Sequence, residues 1–332
     1  GASFPGRNLS LMAFTQQSSV SVDQAAFDRL AYFALRSELL FDAVADVQPV
    51  QQAMPGSAVT FTIFNDLDEA TSTLTETSDV TAVAMGDSQV SVTLAEYGNA
   101  VSTTAKLRGT SFLDVDTVAA NVIGYNAGSS IDSVVKGVLE AGTNVNYGTG
   151  GSSDPTSRTT VAVEDEIAAD DLRKVTAQLR GANVPTFNGM YMGYIHPDVS
   201  YDLRSETGAA AWRDPHIYVD TEFIYNGEIG AFEGIRFIET ARAPLFANAS
   251  NGSGSAGTID VYGTLVMGRQ ALAKAHSITD GNGPLPKIVR GPITDSLERF
   301  RPIGWYWLGG YGRFREAALR RIESSSSIGA NS

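Results

Sequence analysis

The stretch GYIHPDVSYDL, residues 193–203, changes from one sequence pattern to another within a few residues. A strand-like apolar run ends at His196, and helical spacing begins immediately after it. Pro197 suits the first position of a helix, because the N–H that proline lacks would be unpaired there. Asp198 would then lie in the first turn, where a carboxylate interacts favourably with the helix dipole. The stretch therefore predicts a corner between a strand and a helix.

His196 and Asp198 also allow a chemical interpretation. An imidazole beside a carboxylate can act as a general base when it is exposed in a pocket next to a nucleophile. A hydrolase that uses these two residues is therefore an alternative, although the structural corner needs fewer assumptions. The other histidines, His216 and His276, do not help, because no pair has the i, i+4 spacing of two metal ligands on one helix face.

The composition narrows the class of protein. With 332 residues, the chain is long enough for about two domains. No run approaches the ~20 apolar residues that cross a bilayer, and the N-terminus lacks a signal-peptide core, so we expect neither a membrane span nor export. Residues 1–11, before Met12, are either native or a product of processing or cloning. The absence of cysteine excludes disulfides, thiolate metal sites and cysteine nucleophiles.

The charges are unevenly distributed along a chain whose net charge is −13. Broad binding to nucleic acid is not expected, because Lys and Arg supply most of that affinity. Ser57 to Ala105 contains no Lys or Arg, whereas Arg290 to Arg321 contains seven arginines and three acidic residues. These are either two solvated surfaces or two segments that meet between neighbouring copies of the chain.

Alternating residues predict a long β-hairpin over 57–107. Apolar and polar residues alternate in AVTFTIF (58–64), QVSVTLAE (89–96) and AVSTTAKL (100–107), which is the period of half-buried strands. The Thr/Ser/acid tract between the first two has too few large apolar residues to form a core. Because a two-stranded hairpin is marginal alone, this hairpin needs another surface to lie on.

Helical spacing predicts four further segments. One helix is expected over 22–44, and two short helices over 112–127 and 130–142, interrupted by glycines. The segment EDEIAADDLRKVTAQLRG (164–181) is the strongest helix prediction, with acidic residues at its start and a glycine at its end.

The C-terminal part is expected to mix strands and helices. Residues 259–277 are interpreted as a strand followed by a helix. Strand signals also occur in EFIYNGEIGAFEGIRFIET (222–240) and in the aromatic run IGWYWLGGY (303–311), and the chain ends in a Ser-rich tail.

Common catalytic motifs are absent or out of context. There is no Walker A loop and no G-x-S-x-G nucleophile elbow. Gly252, Gly254 and Gly257 match G-x-G-x-x-G, but a strand pattern follows them where a dinucleotide site needs a helix, so a loop is expected. The GWYW cluster (304–307) could stack on bases or sugars, but core packing is the simpler interpretation. We therefore expect no catalytic residue, no cofactor and no metal.

The order of these parts resembles the major capsid proteins of tailed bacteriophages, whose fold is shared with encapsulins. The similarity is strongest at 190–205, where a strand runs into H-P-D and a helix, and at 226–241 and 301–323. The resemblance implies an α+β capsid fold with a long spine helix near 164–180. It divides the chain into an N-terminal arm (1–56), an extended loop (57–108), a peripheral domain (109–184 and 286–332) and an axial domain (185–285).

The resemblance also implies a function. Pentamers and hexamers of the chain would form an icosahedral shell around double-stranded DNA, assembled in the host bacterial cytoplasm and found in the virion. Scaffolding, portal and decoration proteins are possible partners. Some family members crosslink through a lysine in the extended loop, but none lies between Ser57 and Ala105. An encapsulin-type shell around enzyme cargo is the main alternative.

The acidic loop is expected to contact arginines of a neighbouring copy. The candidate contact residues are Asp66, Asp68, Glu69, Glu76, Arg173, Arg299, Arg301, Arg313 and Arg315.

Overall fold

A computed structural model describes residues 15–16, 41–49, 58–64, 67–71, 73–74, 76–77, 79–80, 82–110, 115–151, 154–206, 228–277, 283–293 and 295–328. The helix predicted over 22–44 lies outside these residues except at its end, where Asp42–Val44 form one 3-10 turn.

Within the described residues the chain has an α+β fold, as predicted. Its α-helices are α1 (Ala105–Thr110), α2 (Val115–Glu140), α3 (Ala169–Gly181) and α4 (Pro197–Ser205). Its β-strands are β1 (Thr15–Gln16), β2 (Asp46–Pro49), β3 (Ala58–Phe64), β4 (Asp87–Thr93), β5 (Ala95–Thr104), β6 (Val145–Tyr147), β7 (Tyr191–Ile195), β8 (Glu228–Phe232), β9 (Ile235–Glu239), β10 (Leu245–Ser250), β11 (Ile259–Met267), β12 (Leu272–His276), β13 (Lys287–Arg290), β14 (Phe300–Arg313) and β15 (Leu319–Ser324).

Among the described residues, the first sheet has six strands in the order β1-β5-β14-β12-β2, and β13 also pairs with β14. Its longest pairing is antiparallel, between all of β5 and the part of β14 from Phe300 to Gly309. The predicted aromatic strand is therefore confirmed. Trp305 and Trp307 are buried, and the Trp305 Nε1–H donates to Asn126 Oδ1 at 2.8 Å. These two tryptophans are core residues, as the simpler interpretation predicted.

Helix α2 covers the sheet face from which Trp305 points. The expectation of two short helices is wrong, because α2 runs through Gly124 and Gly128 without a break. A glycine inside a helix costs about 1 kcal/mol relative to alanine. Burial of Ile123 and Ile131, which are each 1% exposed, contributes about 1.5–3 kcal/mol per side chain. Packing therefore outweighs the low helix propensity of the two glycines.

The predicted hairpin is confirmed in β3 and β4, which pair in antiparallel register along their whole length. Its base lies on the sheet face opposite α2, where Val92 packs against Ala273 and Ala275. The two layers approach so closely that a Cβ at Gly310 would lie 2.1 Å from the carbonyl oxygen of Thr93. Glycine is therefore required at this position.

The strand predicted over 100–107 ends early, at Thr104. The Thr104 Oγ1 accepts a hydrogen bond from the backbone N–H of Leu107 at 3.2 Å, which is the geometry of a helix N-cap. The alternation of Ala105 and Leu107 with polar neighbours was therefore misleading, and these residues belong to α1.

In the part of the chain that the structure describes, the second sheet has seven strands in the order β6-β15-β11-β7-β9-β8, with β10 paired to β11. The corner between β7 and α4 is confirmed at His196–Pro197, and the strand pair β8–β9 is also confirmed. The helix predicted in the second half of 259–277 is wrong, because those residues form β12 in the six-stranded sheet. All of β12 is buried, and a strand covered on both faces shows no alternation.

Helix α3 begins at Ala169 rather than at Glu164. The acidic residues before it form a turn, in which Asp165 Oδ2 accepts the backbone N–H of Ala162 at 2.7 Å. Asp171 instead binds the helix start, where its Oδ2 accepts the N–H of Ala168 at 3.0 Å. The helix predicted near 164–180 is therefore present but shorter than expected, with 13 residues against 26 in α2. Its role as the spine helix stays a prediction.

Strand pairing crosses two of the predicted domain boundaries. β6 and β15, from the predicted peripheral domain, belong to the same sheet as β7–β11 from the predicted axial domain. Conversely, β12 from the axial range pairs with β14. The predicted domain boundaries at 184/185 and 285/286 therefore stay a prediction. Each of the two large sheets contains strands from both predicted domains.

A buried polar cluster fixes the segment that precedes β2. The Lys274 Nζ lies 2.7 Å from both carboxylate oxygens of Asp42, and the Tyr311 hydroxyl donates to Asp42 Oδ1 at 2.6 Å. The neighbouring backbone N–H of Phe41 donates to Asp132 Oδ1 of α2 at 3.1 Å. Burial lowers the pKa of Lys274, which Asp42 partly offsets. The ion pair holds the segment against the sheet, and the Phe41–Asp132 hydrogen bond holds it against α2.

Replacing Lys274 with methionine should lower the free energy of unfolding by about 3–5 kcal/mol, because it leaves the Asp42 carboxylate buried without its cation. Denaturant unfolding of the purified chain measures this change. The matched control is Lys136→Met, which breaks the solvent-screened i, i+4 pair with Glu140 and should cost about 0.5 kcal/mol or less. Equal losses in the two variants would contradict the structural role of the Lys274–Asp42 pair.

Candidate interaction surfaces

His196 occupies a structural position at the start of α4. Its Nδ1 accepts the backbone N–H of Asp198 at 3.3 Å, as an N-cap side chain does. The Asp198 Oδ2 accepts a hydrogen bond from the Tyr262 hydroxyl at 2.9 Å, and the His196 and Tyr262 rings lie 4.9 Å apart. Burial lowers the pKa of His196, which favours the neutral ring that can accept this bond. The Nδ1 and the carboxylate are thus both engaged in holding the corner.

The glycine motif lies in a loop of the described fold. Gly252 and Gly254 have positive φ angles of 76° and 100° in a loop between antiparallel β10 and β11, so the loop interpretation is confirmed. Among the described residues no group of three His, Cys, Asp or Glu side chains could hold a metal. No helix in the same residues is long and apolar enough to span a membrane.

The tip of the hairpin, residues 65–86, presents acidic and apolar side chains together. Asp68, Glu69 and Glu76 are exposed, whereas Asp66 lies outside the described residues. Large apolar side chains in the same segment are also exposed, including Leu74 at 78% and Val83 at 74%. The remaining members of this apolar group are Leu67, Val80 and Met85, together with Phe64 at the end of β3.

Sequence reasoning gave this apolar group too little weight. The sequence shows these apolar residues within the Thr/Ser/acid tract, but they are too few to predict a core and nothing in the pattern marks them as a surface. Exposed apolar side chains gathered on one projecting segment are typical of a surface that another chain covers. The hairpin tip is therefore a candidate interface in which apolar contact accompanies negative charge.

The predicted arginine contacts are not equally available. Arg173 Nε binds Glu233 Oε1 at 3.0 Å, Arg299 Nε binds Asp295 Oδ2 at 2.7 Å, and Arg313 Nε binds Glu316 Oε2 at 2.7 Å. Arg301 and Arg315 are exposed and form no ion pair among the described residues. These two are therefore better candidates for contact with another chain than the other three.

Arg301 belongs to a wider cationic surface, the basic corner, formed by Arg108, Arg290, Arg299 and Arg301. Arg290 and Arg301 line a cavity of about 310 Å³ together with the carboxylate of Asp116. Arg108 is only 7% exposed, and its pKa is lowered first by burial and then by the neighbouring charge of Arg301. Sequence reasoning missed Arg108 because α1 was interpreted as a strand.

Apolar residues border the basic corner as well. Leu297 is 71% exposed and Ile293 is 42% exposed. The corner and the hairpin tip thus have opposite charges and both expose apolar groups, a combination that favours specific contact between chains. Opposite charge guides association, and apolar burial contributes about 25 cal/mol per Å².

A family model described as phage capsid protein matches residues 16–328 of the chain. No curated protein sequence matches. Among solved structures, the chain is similar to the capsid of Ralstonia phage GP4, with 14% sequence identity and a TM-score of 0.67 over 98% of this chain and 96% of that one. It is also similar to the capsid asymmetric unit of cyanophage Pam1, with 13% identity and a TM-score of 0.64 over 99% and 100% of the two chains.

A third similar structure is the capsid of a native GTA particle, with 14% identity and a TM-score of 0.55 over 97% of this chain and 96% of that one. At these sequence identities the structural similarity shows only that the folds agree. The family itself is shown by the match to the family model. Both extend over nearly the whole chain.

Replacing His196 with asparagine should reduce the loss of stability at acid pH. The folded-state pKa of His196 lies below its unfolded value of 6.5, so the unfolded state binds more protons between these two values. Stability from this residue is therefore lost as pH falls through 6.5 toward the folded pKa. Asparagine keeps an N-cap acceptor without titrating.

Denaturant unfolding between pH 7.5 and 5 tests this expectation. The variant should match the native chain near pH 7.5 and lose less stability on acidification. The buried His276, whose pKa burial also lowers, should leave a residual slope. An unchanged pH profile would contradict the assignment of His196.

Proposed function

The chain belongs to the phage capsid protein family, and we propose that it is a major capsid protein whose pentamers and hexamers build an icosahedral shell around double-stranded DNA. The observation that carries the proposal is the hairpin tip, which exposes apolar and acidic side chains that its own chain leaves uncovered. Exposed apolar side chains lower the solubility of a monomer, and they contribute to association when another copy covers them.

We assign the four parts of the capsid fold as the sequence predicted them. Residues 1–56 are the N-terminal arm, 57–108 the extended loop, 109–184 and 286–332 the peripheral domain, and 185–285 the axial domain. Two observations refine this assignment: α2 is the long helix suited to the spine, and β6 and β15 extend the axial sheet.

The extended loop is proposed to lie across a neighbouring subunit, with its acidic residues against the basic corner. Asp68, Glu69 and Glu76 supply the negative charge, together with Asp66 from outside the described residues. Within the basic corner Arg301 is the preferred partner, because it is exposed and forms no ion pair among the residues described. Arg315, which lies outside the corner, is a second exposed candidate without an ion pair among those residues. Arg173, Arg299 and Arg313 would first have to leave their intramolecular carboxylates.

The overall charge fits a container for DNA. A net charge of −13 disfavours tight contact between the protein and phosphate groups, which would hinder movement of the packaged molecule. The proposal includes assembly in the host bacterial cytoplasm, with scaffolding, portal or decoration proteins as possible partners. Without a lysine between Ser57 and Ala105, contacts of the loop are proposed to be non-covalent.

Negative-stain electron microscopy of the purified chain tests the proposal. Uniform icosahedral particles would support it, and a chain that stays monomeric at high concentration, alone and with phage assembly proteins, would refute it. Treatment with nuclease then distinguishes the cargo. Protected double-stranded DNA in phage-derived particles supports a virion shell, whereas a co-purifying enzyme would favour the encapsulin alternative.

Reversing the charge of the hairpin tip should impair assembly and leave the chain folded. The variant Asp68→Lys/Glu69→Lys replaces attraction to a basic surface with repulsion. The control Asp154→Lys/Asp170→Lys makes the same change in net charge at exposed positions outside the hairpin. Light scattering and electron microscopy should show fewer particles for the first variant only. Equal yields in both would contradict the proposed charge pairing.

Making the apolar group polar should separate assembly from folding. Leu74→Ser and Val83→Ser change side chains that are mostly exposed in the single chain, so the free energy of unfolding should change by about 0.5 kcal/mol or less. The particle yield should nevertheless fall, because the neighbouring copy loses apolar contact. Normal particle yield from the double variant would show that this group is not part of an interface.

A further inference from the structure

The described edge strands differ in how they are protected against pairing with another chain. A free sheet edge presents unpaired N–H and C=O groups, and proteins shield it with short strands, charges, proline or bulges. β1 and β6 have only two and three residues, β2 contains Pro49, and β13 begins with Lys287 and ends with Arg290. β8 and β10 contain register shifts. Each of these edges therefore has one of the usual protections.

Among the described residues, β3 lacks all of these protections. Its seven residues, AVTFTIF (58–64), contain no charge and no proline, and they pair with β4 without a register shift. The other side of β3 pairs with no strand in the described part of the chain. Val, Phe, Ile and Thr are also residues that favour strands. The free edge of β3 is therefore long, regular and open to pairing with another strand.

The hairpin has its apolar face on its own chain and its polar face in solvent. The Phe61 ring lies 5.9 Å from the ring of Phe314, whereas Thr60 and Thr62 are exposed. Thr60 Oγ1 lies 3.1 Å from Ser91 Oγ of β4. A two-stranded sheet is marginal alone, and three or more strands with an apolar face are stable. Further strands at the free edge would therefore stabilise the hairpin.

We propose that the free edge of β3 pairs with β3 of a second copy of this chain, in antiparallel register about Phe61. In this register Phe61 faces its own counterpart, Val59 faces Ile63, and Thr60 faces Thr62. Directly opposite side chains lie on the same face of an antiparallel pair, so the apolar side chains share one face and the threonines share the other. A slip by one residue would turn the apolar side chains of the second copy toward solvent.

The distribution of charge favours a second copy in this orientation. β3 has no charge that could repel a copy of itself. The acidic tip follows β3 in the sequence, and antiparallel strands run in opposite directions, so the two tips point away from each other. A parallel pair would instead bring Asp68 and Glu69 close to their counterparts, which like-charge repulsion disfavours.

The proposed pairing is a two-fold contact, in which the same surface of both chains takes part. Neighbours around a pentamer or hexamer meet head to tail instead. In the shell the contact would therefore join neighbouring rings. This consequence rests on the proposed function, whereas the pairing of two chains does not.

Disulfide trapping tests the register, because the chain has no cysteine of its own. Thr60→Cys and Thr62→Cys each place one thiol on the exposed face of β3. In the proposed register the Cβ atoms at positions 60 and 62 of two chains lie about 4.5–5.5 Å apart, against about 7–8 Å for the same position in both chains. A mixture of the two variants should therefore form interchain disulfides several-fold faster than either variant alone.

Added charge tests whether the edge of β3 carries the association. The variant Thr60→Lys/Thr62→Lys places like charges opposite each other, which disfavours pairing. The control Gln89→Lys/Ser91→Lys adds the same charge at exposed positions of β4, directly opposite the same two threonines within the hairpin. Sedimentation of the purified chains should show several-fold weaker association for the first variant only.

The two experiments together decide the inference. Faster linking in the mixture, with selective loss of association in the Thr60→Lys/Thr62→Lys variant, supports it. Equal linking in the mixture and the single variants, no linking in variants with a native circular dichroism spectrum, or equal association of the two lysine variants would overturn it. Icosahedral particles that form without the link would overturn this inference and leave the proposed function intact.

Discussion

The pairing of β5 with β14 is the interaction on which the rest of the structure depends. It joins chain segments about 200 residues apart, and loop closure over that distance has to be offset by many contacts formed together. One face of this pair receives α2 through Trp305 and Asn126, and the opposite face of the same sheet receives the base of the hairpin near Gly310. Because β4 is followed by β5 after one residue, the hairpin's direction is set by this sheet.

That arrangement explains why a marginal hairpin can project from a folded chain. Its base is held by packing of Val92 and by the ring contact of Phe61 with Phe314 at 5.9 Å, whereas its tip has no comparable support among the described residues. The hairpin therefore has a well-packed base and an exposed tip. The exposed tip adds little to the stability of the single chain, so contacts proposed for it would contribute to association rather than to folding.

The sequence predicted those elements whose local pattern agrees with their surroundings. β3 and β4 alternate because one face is exposed, and the H-P-D corner is specified by Pro197. Predictions failed where tertiary burial overrides the local pattern, as in the unbroken α2 and in β12, which is covered on both faces. For the candidate surfaces, the acidic loop was visible in the sequence, whereas the basic corner depends on burial of Arg108 and on pairing across distant segments.

The Ser-rich tail is another segment in which tertiary burial overrides the local sequence pattern. Its composition is typical of a mobile end, yet Ser324, Ser325 and Ser326 are fully buried. Ser325 N–H donates to the carbonyl of Asp165 at 3.0 Å, and Ser327 N–H donates to Asp202 Oδ2 at 3.0 Å.

Buried polar groups in this chain thus define position more than they add stability. Removing two charges from water nearly cancels their attraction, so an ion pair such as Lys274–Asp42 contributes little net stability compared with an apolar pair of the same shape. Its effect is geometric, because any other register of the segment at Phe41 would leave Lys274 buried without a partner. Apolar contacts alone would allow the segment to shift by one residue. A shift that leaves a buried charge without its partner is unfavourable. The same logic applies to Asp132, whose Oδ2 lies 2.6 Å from the Nε of Arg242 and whose Oδ1 accepts the Phe41 N–H. Two such anchors at the adjacent residues Phe41 and Asp42 fix this segment against both α2 and the six-stranded sheet.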